Sequence, residues 1–293
     1  MKVTRRFKQV DVFTRVPFKG NPLAVVLGAD GMLDEQMHAI ARWTNLSETT
    51  FALTPRDPQA DYRVRIFSPG TEFPFAGHPT LGTAHALLEA GLQPKTPGRL
   101  VQECGVGLVN INIADDGALA FEAPPAELRD LHQALIPAVR AALQSDAFHA
   151  GGAPIVATMG VCWLVVRMDS AEACLAVRPD AQALVELTRL GMTGIAMFGA
   201  HAPGGPADYE VRAIFTKMGM LAEDPVTGSA NGCIARVLAA QGFPDGGTTS
   251  RGYTACQGSQ VQCDGRITVV YADGAPWIGG HSVTVVDGDM NIG

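Results

Sequence analysis

This sequence of 293 residues contains no long run of basic residues and no long run of apolar residues. Lysine and arginine form no run longer than Arg5-Arg6, and the formal net charge of −7 argues against a nucleic-acid partner. No apolar stretch reaches the roughly 18 residues that a membrane-spanning helix needs. Polar residues at positions 8, 9 and 11 follow the arginine pair, where a signal segment would be apolar. We therefore expect a cytoplasmic protein that binds neither nucleic acid nor membrane.

Cysteine pairs at metal-binding or redox spacing are also missing. The six cysteines include no C-x-x-C pair, and the closest two, Cys256 and Cys263, are seven positions apart. An even number of cysteines does not by itself indicate a disulfide framework in a chain of this length. We therefore expect free, buried thiols.

Several motifs that would identify an enzyme class are absent. The sequence has no phosphate-binding loop, no dinucleotide-binding glycine motif, no H-E-x-x-H motif and no G-x-S-x-G motif. His78, His85 and Glu89 are near enough in sequence to be considered as metal ligands. However, Pro79 predicts that His78 precedes the helix, so a loop histidine and a solvated helix pair explain these residues better. We expect no metal and no organic cofactor.

The length corresponds to about two domains of roughly 150 residues each. Hydrophobic residues make up 47% of the chain, charged residues 17%, and 33 residues are glycine, which is typical of a compact, turn-rich enzyme. The most favourable boundary lies at Glu122–Pro125. We therefore expect domains at 1–124 and 125–293, with the last strands as candidates to pack back on the first domain.

A short pattern occurs twice, at an offset of 146 residues. Pro79–Ala86 in the first half is answered by Pro225–Gly232 in the second. Proline, glycine and a hydroxyl residue before an apolar run predict a turn that opens a helix, and a strand pattern precedes each copy, at Val64–Phe67 and Val211–Phe215. The repeat predicts a duplicated domain. Two facing helix N-termini would then bind an anionic small molecule between the halves.

The remaining pattern predicts further elements. Alternating and apolar runs predict the strands, and Asp34 is expected to cap the first helix. The main predicted elements are strands at Phe7–Phe13, Leu23–Leu27, Thr49–Leu53, Tyr62–Phe67, Leu108–Ile113, Leu119–Phe121 and Val161–Val166, and helices at Glu35–Trp43, Pro79–Ala90, Leu131–Leu143 and Asp180–Leu190.

Three side chains are candidates for chemistry, and each has a structural alternative. Glu48 lies between Leu46 and Phe51, where partial desolvation suits a proton-transfer residue, although an exposed glutamate at a strand start is the common case. Asp224 precedes the second repeated helix, where a capping role is the default. His78 occupies the equivalent place before the first, and either donates to a substrate or closes the loop.

Longer motifs make the sequence recognisable. It resembles the phenazine-biosynthesis PhzF-like family of the diaminopimelate-epimerase fold, and the resemblance covers nearly the whole chain. The motifs that carry it are Asp11–Phe13, Gly20–Val25, Asn45–Thr49, Arg65–Pro69, Glu72–Gly82, Glu223–Ser229, Gln257-Gly258 and Gly279-Gly280.

The resemblance implies an α+β fold of two similar domains. Each domain would be a curved, mostly antiparallel sheet wrapped around a central helix, with the active site in the cleft between them. It also implies a cofactor-free isomerase that moves a proton within a small carboxylate, as in the dihydro-hydroxyanthranilate ring of the namesake reaction. By motif position, Glu48 is the single acid and base. The residues that would bind the substrate are Gly77, His78, Asp224, Gly228 and Ser229.

Two departures limit what the resemblance implies. Epimerases and racemases of this fold use two cysteines, but the matching stretches Ala76–Pro79 and Pro225–Gly228 contain no thiol, which excludes two-thiol racemisation. Phe215–Lys217 lacks a proline that is common in relatives, and Val261–Cys263 stands where a glycine-arginine pair is common. The substrate therefore cannot be carried over from the namesake.

The leading hypothesis is an isomerase that removes an acidic C–H proton and returns it elsewhere on the same small carboxylate. A lyase or tautomerase using the same carboxylate is one alternative, and a non-catalytic small-molecule binding protein is another. The joint presence of Glu48, His78 and Asp224 argues against the binding protein, because binding alone does not require a titrating carboxylate. By analogy with such folds, we expect a homodimer.

Overall fold

The computed structural model describes residues 4–217, 219–243 and 250–292. These residues form two compact units. The first unit comprises the described chain up to Glu122 and from Gly279 onward, and the second is Ala123–Ile278. Sheets and separate helices in both units confirm the predicted α+β class. In the described ranges, no helix has the length and apolar character that crossing a membrane requires.

The first unit is a mixed sheet with two helices. Its helices are α1 (Asp34–Thr44) and α2 (Gly77–Glu89). Its strands are β1 (Thr4–Val12), β2 (Asn21–Val26), β3 (Thr49–Leu53), β4 (Tyr62–Phe67), β5 (Glu72–Phe73), β6 (Arg99–Cys104), β7 (Gly107–Ile113), β8 (Leu119–Glu122) and β18 (Ser282–Asn291).

Most neighbouring strands of the first unit are antiparallel. β1 pairs antiparallel with β18 and with β2, so the C-terminal strand belongs to this sheet. β2 and β3 are parallel, β3 and β4 antiparallel, and β4 is antiparallel to the short β5 but parallel to β6. The sheet ends with antiparallel β7 and β8, which confirms the predicted hairpin.

Helix α2 is the central element of the first unit. Its first eight residues are all buried, and it packs on β1, β2, β3, β8 and β18. A helix with small and apolar residues on all sides is stable only when it is enclosed. Gly82 allows the close approach, since a Cβ there would lie 2.6 Å from Leu23 Cδ2 and 2.8 Å from Val12 Cγ2. The unit therefore folds around this helix.

The second unit contains the remaining elements. Its helices are α3 (Ile136–Leu143), α4 (Ala171–Ala176), α5 (Ala181–Thr188) and α6 (Gly228–Ala240). Its strands are β9 (Glu127–Asp130), β10 (Ile155–Met159), β11 (Val161–Arg167), β12 (Gly194–Ala200), β13 (Tyr209–Lys217), β14 (Met220–Asp224), β15 (Gly252–Gln257), β16 (Gly265–Ala272) and β17 (Ala275–Gly280), whose last two residues belong to the first unit.

The strand pairing of the second unit repeats that of the first. β10 and β11 are antiparallel, β11 and β12 parallel, and β12 and β13 antiparallel. β13 is antiparallel to β14 but parallel to β15, and β15 and β16 are antiparallel. The same order runs from β1 to β7. Arg65 on β4 forms an ion pair with Glu72, and Arg212 on β13 forms one with Glu223, so even the hairpin contacts correspond. The chain is a structural duplication.

The register of the repeat differs from the sequence-based one. Both central helices begin on a glycine, Gly77 and Gly228, at an offset of 151 residues rather than 146. Pro79 is the third residue of α2, whereas Pro225 lies before α6 begins. Proline fits the third position because the first N–H groups of a helix have no intrahelical acceptor. The expectations that His78 precedes α2 and that both prolines start helices were therefore wrong.

Some local predictions also need correction. Asp34 is the first helical residue of α1 and pairs with Arg65 Nη1 at 2.5 Å instead of capping the helix. The predicted helix over Leu131–Leu143 contains only α3, because β9 and a 3-10 turn come first. Strands such as β10 and β17 were missed, since their apolar runs are short. None of the six cysteines, all of which lie in the described ranges, forms a disulfide, as expected, although Cys104, Cys162 and Cys263 are only half-buried.

Candidate active site

Glu48 is held in a short, well-anchored loop. Asn45 ends α1 in the left-handed conformation, and its N–H donates to the Ala41 carbonyl. On the other side of the loop, the hydroxyls of Thr44 and Thr49 lie 2.7 Å apart. Because both ends are tied down, Glu48 has a fixed position directly before β3.

The carboxylate of Glu48 lies beside the imidazole of His78. Oε2 of Glu48 is 3.3 Å from Nε2 of His78, and the two side chains expose only 16% and 6% of their surface. The alternative of an ordinary exposed glutamate is therefore excluded. Helix α2 brings His78 to this place because it is the second helical residue. The structure thus unites two of the candidates that the sequence had named separately.

The imidazole of His78 is neutral at physiological pH. Burial lowers the pKa of His78 from 6.5 to about 3. The side-chain nitrogen of Asn21 lies 3.5 Å from Nδ1, and an amide nitrogen only donates. This arrangement favours the tautomer that carries its proton on Nε2. The protonated Nε2 is then the ring nitrogen that lies 3.3 Å from the Glu48 carboxylate.

A buried chain of hydrogen bonds fixes the first turn of α2. Gln102 Nε2 donates to Thr80 Oγ1 at 3.0 Å, and Tyr62 donates to Gln102 Oε1 at 2.9 Å. Thr80 in turn donates both its hydroxyl and its N–H to the Ala76 carbonyl. The N–H groups of Gly77 and His78 have no acceptor within the helix. They lie at its N-terminal end, where the helix dipole is positive.

The start of α6 is held by a second network in the other unit. Gln257 is 1% exposed, and its Oε1 accepts from the Thr227 N–H at 3.0 Å and from Asn231 Nδ2 at 3.1 Å. Gln257 Nε2 donates to the Asp224 carbonyl and to Thr227 Oγ1. The Thr227 hydroxyl donates to Asp224 Oδ2 at 2.7 Å. Thr227 is the N-cap residue, so Asp224 holds the cap in place instead of forming it.

The first turn of α6 offers donors of two kinds. Gly228 and Ser229 are its first two residues, so their N–H groups lie outside the intrahelical pattern. Ser229 Oγ accepts from Trp163 Nε1 at 3.0 Å, which leaves the Ser229 hydroxyl proton for another acceptor. The N–H groups of Thr80 and Thr227, which also lie at these helix starts, are used within the protein, by the Ala76 carbonyl and by Gln257 Oε1.

Sequence reasoning missed several residues that support these positions. Asn21 and Gln257 both lie in motifs that carried the family resemblance, so a signal for them was present. Trp163 and Asn231 had no such signal, because their role depends on contacts between distant parts of the chain. His85 and Glu89, considered above as metal ligands, form an ordinary contact between side chains four residues apart on α2. Glu89 also accepts a hydrogen bond from Lys8 Nζ at 2.7 Å.

Comparisons with known proteins agree with this architecture. The family model described as "Phenazine biosynthesis-like protein" matches residues 10–288. The chain is 33% identical to antisense-enhancing sequence 1 of Schizosaccharomyces pombe, covering 98% of each chain. It is 34% identical to trans-2,3-dihydro-3-hydroxyanthranilate isomerase of Pseudomonas aeruginosa over 80% of each chain. A crystal structure of a PhzF-family phenazine biosynthesis protein from Bacillus anthracis shares the fold, with a TM-score of 0.82, 24% identity and coverage of 98% and 99%.

Proposed function

The chain belongs to the phenazine biosynthesis-like protein family and is an isomerase, and on this premise we propose that Glu48 is its proton carrier. The proposed reaction moves a proton within a small carboxylate-bearing substrate and needs no metal or organic cofactor. The observation that carries the proposal is the contact of 3.3 Å between Glu48 and a buried, neutral His78. A partly desolvated carboxylate with a fixed orientation is suited to general acid and base catalysis.

The proposed reaction has two proton transfers. Ionised Glu48 removes a proton from an acidic carbon of the substrate, and the electron pair of the broken C–H bond moves into the conjugated system of the substrate. The proton on the Glu48 carboxyl group exchanges with solvent, and protonated Glu48 then delivers a proton to a different carbon, which restores the carboxylate and leaves an isomer. We assign His78 the role of a positioning residue, because its Nε2 lies 3.3 Å from one carboxylate oxygen of Glu48, and the other oxygen is assigned to the substrate.

The developing negative charge requires donors that are already oriented. In the first unit we assign this role to the N–H groups of Gly77 and His78. Gly228 and Ser229 offer donors of the same kind at the start of α6 in the second unit. Helix N-termini favour anions by roughly 0.3 to 1 kcal/mol when exposed, and by up to about 2 when partly buried. Asp224 would repel an anion, so we assign it to an amine or hydroxyl group of the substrate.

Solvent isotope incorporation tests the proposed function. The protein is incubated in deuterated buffer with trans-2,3-dihydro-3-hydroxyanthranilate, the substrate in the name of a relative, and with a panel of small amino and hydroxy carboxylates. Mass spectrometry and NMR should show a shifted double bond with deuterium at the new C–H position. Loss of a fragment would instead indicate a lyase, and binding without exchange would indicate a binding protein.

Two further measurements concern assembly and cofactors. The predicted homodimer stays a prediction, which light scattering of the purified protein tests. Turnover should persist after treatment with a chelator, because no step of the proposed reaction uses a metal. Loss of turnover that metal restores, in protein whose circular dichroism and melting temperature the chelator leaves unchanged, would contradict the proposal.

A further inference from the structure

A compact cluster of metal-binding side chains lies in the second unit. His201 Nε2 is 3.2 Å from Glu210 Oε2 and 3.3 Å from Cys256 Sγ, and Cys256 Sγ is 3.0 Å from the same Glu210 oxygen. Of the described residues, only these three form such a group. Each is mostly buried, since the side chains of His201 and Glu210 expose 10% and 4%, and Cys256 exposes 7%. None of the three has a role in the proposed reaction.

The strand topology brings the three residues together. Glu210 on β13 and Cys256 on β15 are direct neighbours in the parallel pairing of these strands. His201 directly follows β12, whose residue Gly199 is the antiparallel partner of Glu210. The N–H of His201 donates to the Asp208 carbonyl at 2.9 Å, which fixes the chain at this point. Three adjacent strands therefore hold the donors in place. The spacing of the three residues in the sequence does not match a metal-binding motif, so the cluster could not be predicted from the sequence.

The charge balance of the cluster is incomplete. Glu210 is 3% exposed, and within the described part of the chain its ion pairs include no lysine or arginine. Its other contacts are neutral donors, the Cys256 thiol at 3.0 Å and the Ser259 hydroxyl at 3.4 Å. Buried carboxylates are normally paired with a cation or bound to a metal.

The donor set fits one metal better than others. Thiolate, imidazole and carboxylate are the three ligand types of zinc, at about 2.3, 2.0–2.1 and 2.0–2.2 Å. Donors 3.0 to 3.3 Å apart leave room for an ion at these distances, slightly above the plane of the three atoms. Mg²⁺ and Ca²⁺ prefer oxygen ligands and would not select a cysteine.

We propose that His201, Glu210 and Cys256 bind one Zn²⁺ ion, with water as the fourth ligand. Binding forms bonds from zinc to Nε2, to the carboxylate and to Sγ, and the thiol proton is released to solvent. Successive strand residues point to opposite faces, so Cys256 points away from the side on which Gln257 holds the start of α6. The ion would crosslink three strands and stabilise the second unit without entering the reaction.

Zinc titration of the full chain tests the proposal. Protein treated with a chelator under reducing conditions is titrated with Zn²⁺ in competition with a chromophoric chelator. We expect one equivalent to bind, with release of a proton and a melting temperature that rises with zinc concentration. Co²⁺ is the spectroscopic probe, and it should give a thiolate-to-cobalt charge-transfer band. A wild-type protein that binds no stoichiometric Zn²⁺ would overturn the proposal.

Three variants locate the site. Cys256→Ser should remove the cobalt band and weaken zinc binding by more than the roughly 10- to 100-fold that loss of an outer-shell partner costs. Cys263→Ser is the matched control and should retain both properties, because Cys263 lies outside the cluster. His201→Gln is the second test, for the case that Cys256→Ser does not fold. His201 is the most exposed of the three side chains, so its replacement should disturb the packing least. Binding that survives in Cys256→Ser or in His201→Gln would contradict the assignment.

Discussion

The Glu48 carboxylate and the His78 imidazole form a contact of 3.3 Å between a loop and the first turn of a central helix. The imidazole is neutral, because burial lowers its pKa to about 3, so the contact is a close approach of a neutral ring to a carboxylate rather than an ion pair. A neutral neighbour leaves the carboxylate able to accept a proton. A cationic partner would instead hold the carboxylate ionised.

Replacement of the carboxylate by an amide should abolish turnover. Glu48→Gln keeps the size of the side chain and an oxygen beside His78, but the amide cannot carry a proton. We expect the turnover number to fall by at least the roughly 10²- to 10⁴-fold that general acid–base groups contribute, with the fold and ligand affinity retained. Isomerisation rates, circular dichroism and calorimetric ligand binding measure the three quantities.

The matched control for this prediction is Glu127→Gln, at a glutamate whose side chain is 70% exposed. Its activity should equal that of the wild type. Glu48→Gln activity within about tenfold of the wild type would remove Glu48 from the mechanism.

The neutral state of His78 should make stability depend on pH. The pKa of His78 is about 3 in the folded protein and near 6.5 when exposed, so between these values the unfolded chain binds a proton that the folded chain does not. Stability is fully present above about pH 6.5 and falls as the pH drops toward 3, by up to about 1.4 kcal/mol per pH unit.

Urea denaturation at pH 7 and pH 5 measures this dependence. The wild type should lose about 1 to 2 kcal/mol more of its free energy of unfolding over this interval than His78→Asn does. His132→Asn, at an exposed histidine, should keep the pH dependence of the wild type. If the free energy of unfolding changed equally with pH in the wild type and in His78→Asn, protonation of His78 would not destabilise the folded protein, and the prediction would be wrong.

Asp224 should discriminate between substrates by charge. Asp224→Asn keeps an oxygen that accepts from the Thr227 hydroxyl, so the start of α6 should remain intact. A hydrogen bond to a charged group contributes about 1.5 to 3 kcal/mol, so KM for amino-bearing substrates should rise about 10- to 100-fold. Deaminated analogues should show a much smaller change. Asp115→Asn, in an exposed turn, is the control, and an equal effect on both substrate classes would indicate a purely structural role for Asp224.

The buried amide of Gln257 should be a major source of stability in the second unit. Gln257→Leu leaves the Thr227 N–H and the Asn231 amide without this acceptor, and each unsatisfied buried group costs about 1 to 3 kcal/mol. We expect a loss of about 2 to 5 kcal/mol in the free energy of unfolding, measured by chemical denaturation. The exposed Gln93→Leu should change stability by less than about 0.5 kcal/mol. A small loss in Gln257→Leu would mean that water replaces the amide.

The sequence by itself determined the class, the duplication and most elements of this protein. Alternating burial along β4 and the apolar character of α2 are local properties, and hydrophobic periodicity reports them directly. The predicted bounds of the strands Thr49–Leu53 and Tyr62–Phe67 agree with the structure at both ends. The family motifs likewise named Glu48, His78 and Asp224 before any geometry was known.

Only the tertiary structure decided how these residues are arranged. The position of His78 inside α2 depends on where the helix starts, and that start is fixed by the hydrogen bonds of Thr80 and Gln102 from a distant strand. The neutrality of His78 follows from burial, which is a property of the packed unit. The cluster around Glu210 exists because β12, β13 and β15 are neighbours in the sheet. Such contacts join residues far apart in the chain, and local periodicity contains no information about which strands will pair.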